Sequence, residues 1–291
     1  MTAPSKPRDE AEGGPEPDVS VITVGRDVRP ELEFCFAALE EHRGEITTEV
    51  FAVDNASADG TADWIRREHP GIHLIELAHN AFTAARIPAL PRVRGRFTLF
   101  VDSDAYMTAG ALPAMVAALE DNPGWGLVGP RLVYPEGDLQ LSCRRFPPRA
   151  IPVMRRPPLN RWLEESAPVR RHQMEDIDHS IGRPVLYVLG ACQLFRTSLL
   201  SRMGSPDRAL GWGGADDVDW CIRVWDAGAE VRYLPEAEVI HAYRRITKAA
   251  SPLSGKALRH LRAFGALQWK YRGRYRELQR FGEELDRRAV A

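Results

Sequence analysis

The chain has 291 residues, long enough to bury a full core in one large domain or two small ones. Hydrophobic residues make up 44% and charged residues 27%, a composition that excludes a disordered or fibrous chain. With a formal net charge of −1, bulk electrostatics select neither nucleic acid nor membrane, so any charged partner must be sought in local patches.

Residues 1–17 are rich in Pro, Gly, Glu and Asp and hold almost no large apolar side chains. They cannot repay the entropy of ordering and read as a disordered tail. Order begins at Val19-Ser20-Val21-Ile22-Thr23-Val24, a β-branched run that predicts a buried strand. A helix follows, with Pro30 in its first turn and Leu32, Phe36 and Leu39 on one face. Val50–Val53 is a second strand and stops at Asp54-Asn55-Ala56-Ser57, where short polar side chains favour a turn. A helix over about 61–68 and a strand over 72–77 come next. Residues 81–93 are partly helical, interrupted by Pro88 and Pro91. Phe97–Val101 is a fourth strand.

Strand and helix signals alternate at short spacing, which predicts an α/β fold with a mostly parallel sheet flanked by helices. Ligands of such sheets bind beyond the carboxyl ends of the strands. Asp54-Asn55 and Asp102-Ser103-Asp104 close two strands and so fall on one edge. Beyond a helix at about 110–121, residues 144–184 are rich in Pro and Arg and lack clear periodicity, as expected of a stretch that is either functional or disordered. Order resumes near Val185–Phe195, followed by a helix over about 217–227 and a strand over 230–234. The C-terminal segment is helical and basic.

Cys35, Cys143, Cys192 and Cys221 are far apart and form no CxxC pair, which argues for reduced core thiols and against a zinc site. The N-terminus has no apolar signal core, and no run of about 18 apolar residues occurs. The expectation is a cytoplasmic protein whose membrane contact, if any, is peripheral.

Four constellations carry chemistry. Asp102 and Asp104, spaced by one residue at a strand end, can share a divalent cation with a diphosphate. Taken alone the pair is weak evidence, because Asp is common where strands end. Gly211-Trp212-Gly213-Gly214-Ala215-Asp216-Asp217-Val218-Asp219 leads into a helix. Its acids suit a helix start through capping and the dipole. Capping does not require Gly-Trp-Gly-Gly, whereas a ring wall for a sugar with close backbone approach uses such residues. One of the acids beside a hydroxyl nucleophile would accept its proton. His241 would join a metal shell only if folding brought it to Asp104; a lone His is more often structural. Finally, residues 244–276 hold Arg244, Arg245, Lys248, Lys256, Arg259, Arg262, Lys270, Arg272, Arg274 and Arg276 and no acid. This is either a helix with a solvated basic face or one drawn to an anionic membrane or a lipid-phosphate acceptor. No recognised nucleic-acid motif accompanies the charge.

Together these passages resemble the family-2 glycosyltransferases of GT-A fold, most closely their bacterial rhamnosyltransferase-like branch. The resemblance rests on Val19–Val24, Val53-Asp-Asn-Ala-Ser-Ala-Asp-Gly-Thr61, Gly95–Asp104, and Gly129–Val133 through Gln140–Pro147. It continues through Gly190-Ala-Cys192, Asp216–Asp219 and Leu234–His241, covering about residues 18–275 in the family's order.

The resemblance implies a single GT-A domain over 18–243, with 144–184 on the acceptor side and a basic helical extension over 244–291. It implies donor binding by Val24, Asp54, Asn80, Arg86, Asp102, Ser103 and Asp104. Asp104, Asp102 and His241 would hold Mg²⁺ or Mn²⁺. Asp217 is the implied general base, with Asp216, Trp212, Gly213 and Gly214 on the acceptor side. Three departures surround the donor: Gly25-Arg26-Asp27 stands where relatives carry Thr-Tyr-Asn, Asn80-Ala81-Phe82 lacks the family's glycine, and an Asn of the family further along is replaced near Arg86.

The expected reaction is inverting transfer of a sugar from a dTDP- or UDP-sugar, dTDP-rhamnose among them, to the hydroxyl of a saccharide, lipid-linked or small-molecule acceptor. The alternatives are a sugar-nucleotide nucleotidyltransferase and a non-catalytic binding protein of the same fold. No nucleic-acid partner is expected.

Overall fold

The computed structural model describes residues 15–154, 163, 165–211, 214–242 and 255–289. Most of the acidic N-terminal tail, Trp212, Gly213, Arg244, Arg245 and Lys248 lie outside them.

The strands are β1 (Val19–Gly25), β2 (Thr48–Asp54), β3 (His73–Glu76), β4 (Phe97–Asp102), β5 (Ala105–Met107) and β6 (Trp125–Val133). After them come β7 (Leu139–Gln140), β8 (Cys143–Arg144), β9 (Arg183–Pro184), β10 (Tyr187–Val188), β11 (Cys192–Arg196) and β12 (Glu230–His241). The main sheet runs β3-β2-β1-β4-β11-β6-β12-β5. Its first four strands are parallel, as the alternating signals predict. β11 lies antiparallel to both β4 and β6, while β12 runs parallel to β6. The sheet is therefore mixed. The chain leaves β6, traverses the Pro- and Arg-rich region, and re-enters between β4 and β6 from the opposite end.

Alternation along β1 sends Val19 and Val21 to one face and Ile22 to the other. The first face packs with Cys35 and Leu39 of helix Arg29–His42 and with Leu112, Met115 and Leu119 of helix Ala111–Asp121. The second face packs on Val218, Cys221 and Ile222 of helix Asp216–Asp226. The same core takes in Phe264 and Leu267 of helix Gly255–Lys270 and Leu278 and Leu285 of helix Tyr275–Arg288. All four cysteines are buried and unpaired.

The C-terminal helices are tied to the sheet layer by a buried carboxylate. Asp219 is 1% exposed. Its Oδ1 accepts from Tyr271 Oη at 2.7 Å and lies 2.6 Å from Lys270 Nζ, and its Oδ2 accepts from Arg223 Nε at 2.8 Å. A buried carboxylate persists only with such partners.

The residues 81–93 form a 3₁₀ helix over Phe82–Arg92, a tighter turn that accommodates both prolines. The chain then enters β4 through a crowded corner. Gly95 N donates to Ser20 Oγ at 2.8 Å, and buried Glu49 accepts from Arg94 N at 2.7 Å and Arg94 Nε at 3.0 Å. A Cβ on Gly95 would lie 2.5 Å from Ser20 N and 2.8 Å from Val19 C, both backbone atoms. Gly95→Ala is therefore expected to lower stability by about 1–3 kcal/mol, read as an earlier midpoint in urea.

Candidate active site

β1, β2 and β4 all end on one edge of the sheet. The register pairs Val24 with both Val53 and Asp102, and Gly25 with Asp54. Parallel pairing thus sets Val24, Asp54 and Asp102 side by side, which is how residues 78 positions apart in the chain meet.

Asp54 is buried at the end of β2. Its Oδ2 accepts from Ser57 N at 3.2 Å, while its Oδ1 has no partner among the described residues. It lines a cavity of about 490 Å³ with Ser57, Thr61, Glu76 and Leu77. An acceptor oxygen without a donor is costly and calls for a ligand N–H. Asn80 sits beside this region and acts on the loop: its Oδ1 accepts from Asn55 Nδ2 at 2.9 Å and Phe82 N at 2.8 Å. Asn55 Oδ1 in turn accepts from Ala81 N at 2.7 Å. Asp27, Ala56 and Phe82 adopt positive φ at 53°, 62° and 55° in these three strand-end loops. Such strain in non-glycine residues clusters where surrounding structure enforces a shape.

Arg86 links the two halves of the site. It is buried, donates from Nη2 to Asp102 Oδ1 at 2.6 Å and to Gly190 O at 3.1 Å, and stacks 4.9 Å from the Phe100 ring centre. The Cβ position of Gly190 is 3.4 Å from Asp217 Cβ and 3.6 Å from Arg86 Nη1. Arg86, Asp216 and Asp217 line one narrow recess with Thr83, Gln193 and Trp220. Asp102 is tied to this recess through Arg86, which lines it and binds the Asp102 carboxylate.

Asp102, Asp104 and His241 each offer a ligand atom, all within 4.8 Å of one another. His241 is brought there by antiparallel pairing of β12 with β5, which sets it opposite Ala105. Its Nε2 lies 3.5 Å from Asp104 Oδ1, and its Nδ1 lies 2.6 Å from Gln140 Oε1. With the amide oxygen accepting from Nδ1–H, the Nε2 lone pair is turned towards Asp104. That orientation is the one a metal-binding imidazole needs. Two carboxylates and one imidazole suit Mg²⁺ or Mn²⁺. Ser103 sits between the two acids, partly buried.

The field here is acidic. Burial pushes the Asp102 carboxyl up, Arg86 and His241 pull it back, and Asp104 and Asp216 push it further. Asp102 keeps 40% of its side-chain surface open, so the effect is that of a cleft wall and not of a sealed core. Asp216 is also raised by burial, opposed by Arg86. Asp217 is pushed up to about 7, by burial first and then by the charge of Asp216. The helix N-terminus limits the rise, because Val218 N donates to Asp217 Oδ1 at 2.8 Å. The excess of carboxylates over cations favours a divalent ion.

Trp212 and Gly213 lie outside the described residues. Gly214 follows with φ of 70°, a left-handed turn that suits glycine. Gly211 packs against the donor-side loop: its carbonyl accepts from Thr83 Oγ1 at 2.9 Å, and a Cβ there would lie 2.8 Å from Ala84 N. Thr83, Gln140 and Gly190 are site residues that the motifs alone do not single out. Only Gln140 and Gly190 fall inside passages that carry the family resemblance.

The description "Glycosyl transferase family 2" matches residues 19–204. The chain belongs to glycosyl transferase family 2. It is 25% identical over 273 residues to an N-acetylglucosaminyl-diphospho-decaprenol L-rhamnosyltransferase of Mycobacterium tuberculosis, covering 88% of this chain and 86% of that one. It is 31% identical over 201 residues to a pre-mycofactocin glycosyltransferase of the same species, covering 67% of this chain and 37% of that one.

Among solved structures it resembles a mannosyltransferase of Pyrobaculum calidifontis in complex with GDP-Man and Mn²⁺, with a TM-score of 0.52, 20% identity, and coverage of 91% and 79%. It also resembles GalNAc-T7 with UDP, GalNAc and Mn²⁺, with a TM-score of 0.61, 14% identity, and coverage of 93% and 55%. These likenesses establish the GT-A fold. This family-2 member is a glycosyltransferase, and its aspartate-rich cleft has the composition of a divalent-metal site.

Two measurements follow. His241→Ala is expected to weaken Mn²⁺ binding, and Gln140→Leu to weaken it roughly ten-fold by releasing the imidazole, both read by calorimetric titration. The second concerns pH. Because the folded-state pKa of Asp217 is raised, its contribution to stability is present below the unfolded carboxyl value and lost as pH rises towards 7. Asp217→Asn should therefore gain stability relative to wild type between about pH 4 and pH 8, seen in urea midpoints of the unliganded protein.

Proposed function

We propose that the chain is an inverting glycosyltransferase that moves a hexose from a nucleoside-diphosphate sugar to an acceptor hydroxyl, with Asp217 as general base. The observation that carries this reading is the placement of a carboxyl with a raised pKa in the same recess as Arg86, whose guanidinium binds Asp102 of the cation-suited cluster. A base poised near neutral pH combines the ionised form with real proton affinity.

In this reading the free Oδ1 of Asp54 accepts an N–H of the donor base, which a pyrimidine such as uracil or thymine offers. Val24 and Asn80 shape the wall around it. A divalent cation held by Asp104, His241 and Asp102 would supply Lewis-acid neutralisation of the leaving diphosphate. Arg86, anchored on Asp102, presents positive charge to the same phosphates. The acceptor oxygen loses its proton to Asp217 and bonds to the anomeric carbon. The bond from that carbon to the diphosphate oxygen breaks, and the nucleoside diphosphate departs with the electron pair. Attack from the face opposite the nucleotide inverts the centre. Asp216 and the segment 211–214, with Trp212, hold the acceptor.

A relative matched over 88% of this chain and 86% of its own is named for transfer of L-rhamnose to N-acetylglucosaminyl-diphospho-decaprenol. On that ground dTDP-rhamnose is the donor to try first, and a saccharide on a lipid diphosphate the acceptor class. Such an acceptor would keep the enzyme at a membrane face. Among the described residues no helix is long and apolar enough to cross a bilayer.

Nucleoside diphosphate release with Mn²⁺, a panel of dTDP- and UDP-sugars and a lipid-linked acceptor tests the reaction; pyrophosphate release from a nucleoside triphosphate would instead mark a nucleotidyltransferase. Asp217→Asn is expected to lose about 10²–10⁴-fold in turnover while the Mn²⁺-dependent thermal shift by donor nucleotide persists. Retained turnover would remove Asp217 from the role.

A further inference from the structure

The helix Gly255–Lys270 has two unlike faces. Ala263, Phe264 and Leu267 are buried in the core. The opposite face carries Leu258, Arg262, Gly265 and Trp269, spaced four, three and four residues apart and so aligned along one stripe. All four are exposed. Trp269 keeps 69% of its surface and Leu258 48%, which places them among the large apolar side chains most open to solvent in the described chain. Arg272 lies 4.1 Å from the Trp269 ring centre and extends the stripe.

The charge around this stripe is of one sign. No acid occurs between residues 243 and 277. Arg262 and Arg276 are exposed and make no ion pair among the described residues. The acids of the adjoining helix Tyr275–Arg288 are largely engaged. Glu277 pairs with Arg274 at 2.9 Å, Glu283 with Arg171 at 3.4 Å, and Asp286 with Arg145 at 2.7 Å. Lys270 turns inwards to Asp207 and Asp219.

A single-sign basic face interleaved with an exposed tryptophan and leucine matches the chemistry of an anionic bilayer surface. Arginines meet lipid phosphates while the indole sits at headgroup level and the leucine enters the acyl boundary. Base stacking could use the tryptophan, but duplex readout has no use for an exposed leucine beside it.

The stripe also lies beside the cleft. At one end Arg259 covers the Phe82 ring at 4.9 Å, next to Thr83 of the recess. At the other, Lys270 reaches Asp207, whose backbone carbonyl accepts from Gly211 N at 3.3 Å.

We propose that the stripe Leu258–Arg262–Trp269–Arg272 is a docking surface for an anionic lipid bilayer, holding the cleft against the membrane surface. The purpose of that docking rests on the lipid-carried acceptor proposed above; the surface itself rests on the helix.

The test uses the full chain and sedimentation with large vesicles of pure phosphatidylcholine or of phosphatidylcholine with one part in three phosphatidylglycerol. Wild type is expected to bind the anionic vesicles, to ignore the neutral ones, and to be released as salt screens the contact. Leu258→Glu with Trp269→Glu should lower partitioning by about ten-fold or more, and Arg262→Gln with Arg272→Gln by roughly twenty-fold. Both double variants should keep the Mn²⁺-dependent nucleotide thermal shift and transfer to a water-soluble acceptor, which separates lost docking from lost folding. Wild type that does not bind anionic vesicles overturns the proposal, as do variants that partition like wild type. Tight binding of duplex DNA, with no binding to vesicles, overturns it in favour of nucleic acid. Vesicle binding that behaves as expected in a protein without any sugar transfer would support the surface and overturn the catalytic reading instead.

Discussion

The ion pair between Arg86 and Asp102 is the contact on which the site is built. Carboxylates gather around Arg86, and its charge offsets part of what burial and mutual repulsion cost Asp102 and Asp216. Arg86 is almost wholly enclosed, with its guanidinium between Asp102, the Gly190 carbonyl and the Phe100 ring. A charge so enclosed needs such partners, and both are held by the sheet: Asp102 ends β4 and Gly190 precedes β11.

Around that pair the donor side is held by amide side chains and tight backbone. Asn55 and Asn80 bind the loop after β3 to the ends of β1 and β2, and Gly211 is held against the same loop through Thr83. Thr83 thus joins the loop after β3 to Gly211, and it also lines the recess that holds Asp216.

Much of this was legible in the chain. β-branched runs closed by Asp54 and by Asp102–Asp104 marked strands with polar ends, and the alternation of elements placed those ends on one edge. The mixed half of the sheet was less legible. The direction of β11 depends on where a long, Pro- and Arg-rich excursion re-enters, and no local signal encodes that. Gln140 and Gly190 contribute a second-layer hydrogen bond and a backbone carbonyl, roles that residue type does not announce. Asp219 gave the opposite difficulty. It stands in a run of acids with Asp216 and Asp217, yet two residues, a little over half a helical turn, carry it from Asp217 in the recess to the core on the other side.

That turn has a consequence for how the chain tolerates shortening. The Tyr271 hydroxyl and the Lys270 ammonium come from the last stretch of sequence, and they face a carboxylate two positions beyond the candidate base. A version of the protein ending before residue 270 would leave that carboxylate with Arg223 alone and strip apolar cover from the helix that starts at Asp216. The C-terminal arm is thus no dispensable appendage: it is the far wall of helix Asp216–Asp226, and the outer side of that wall carries the tryptophan.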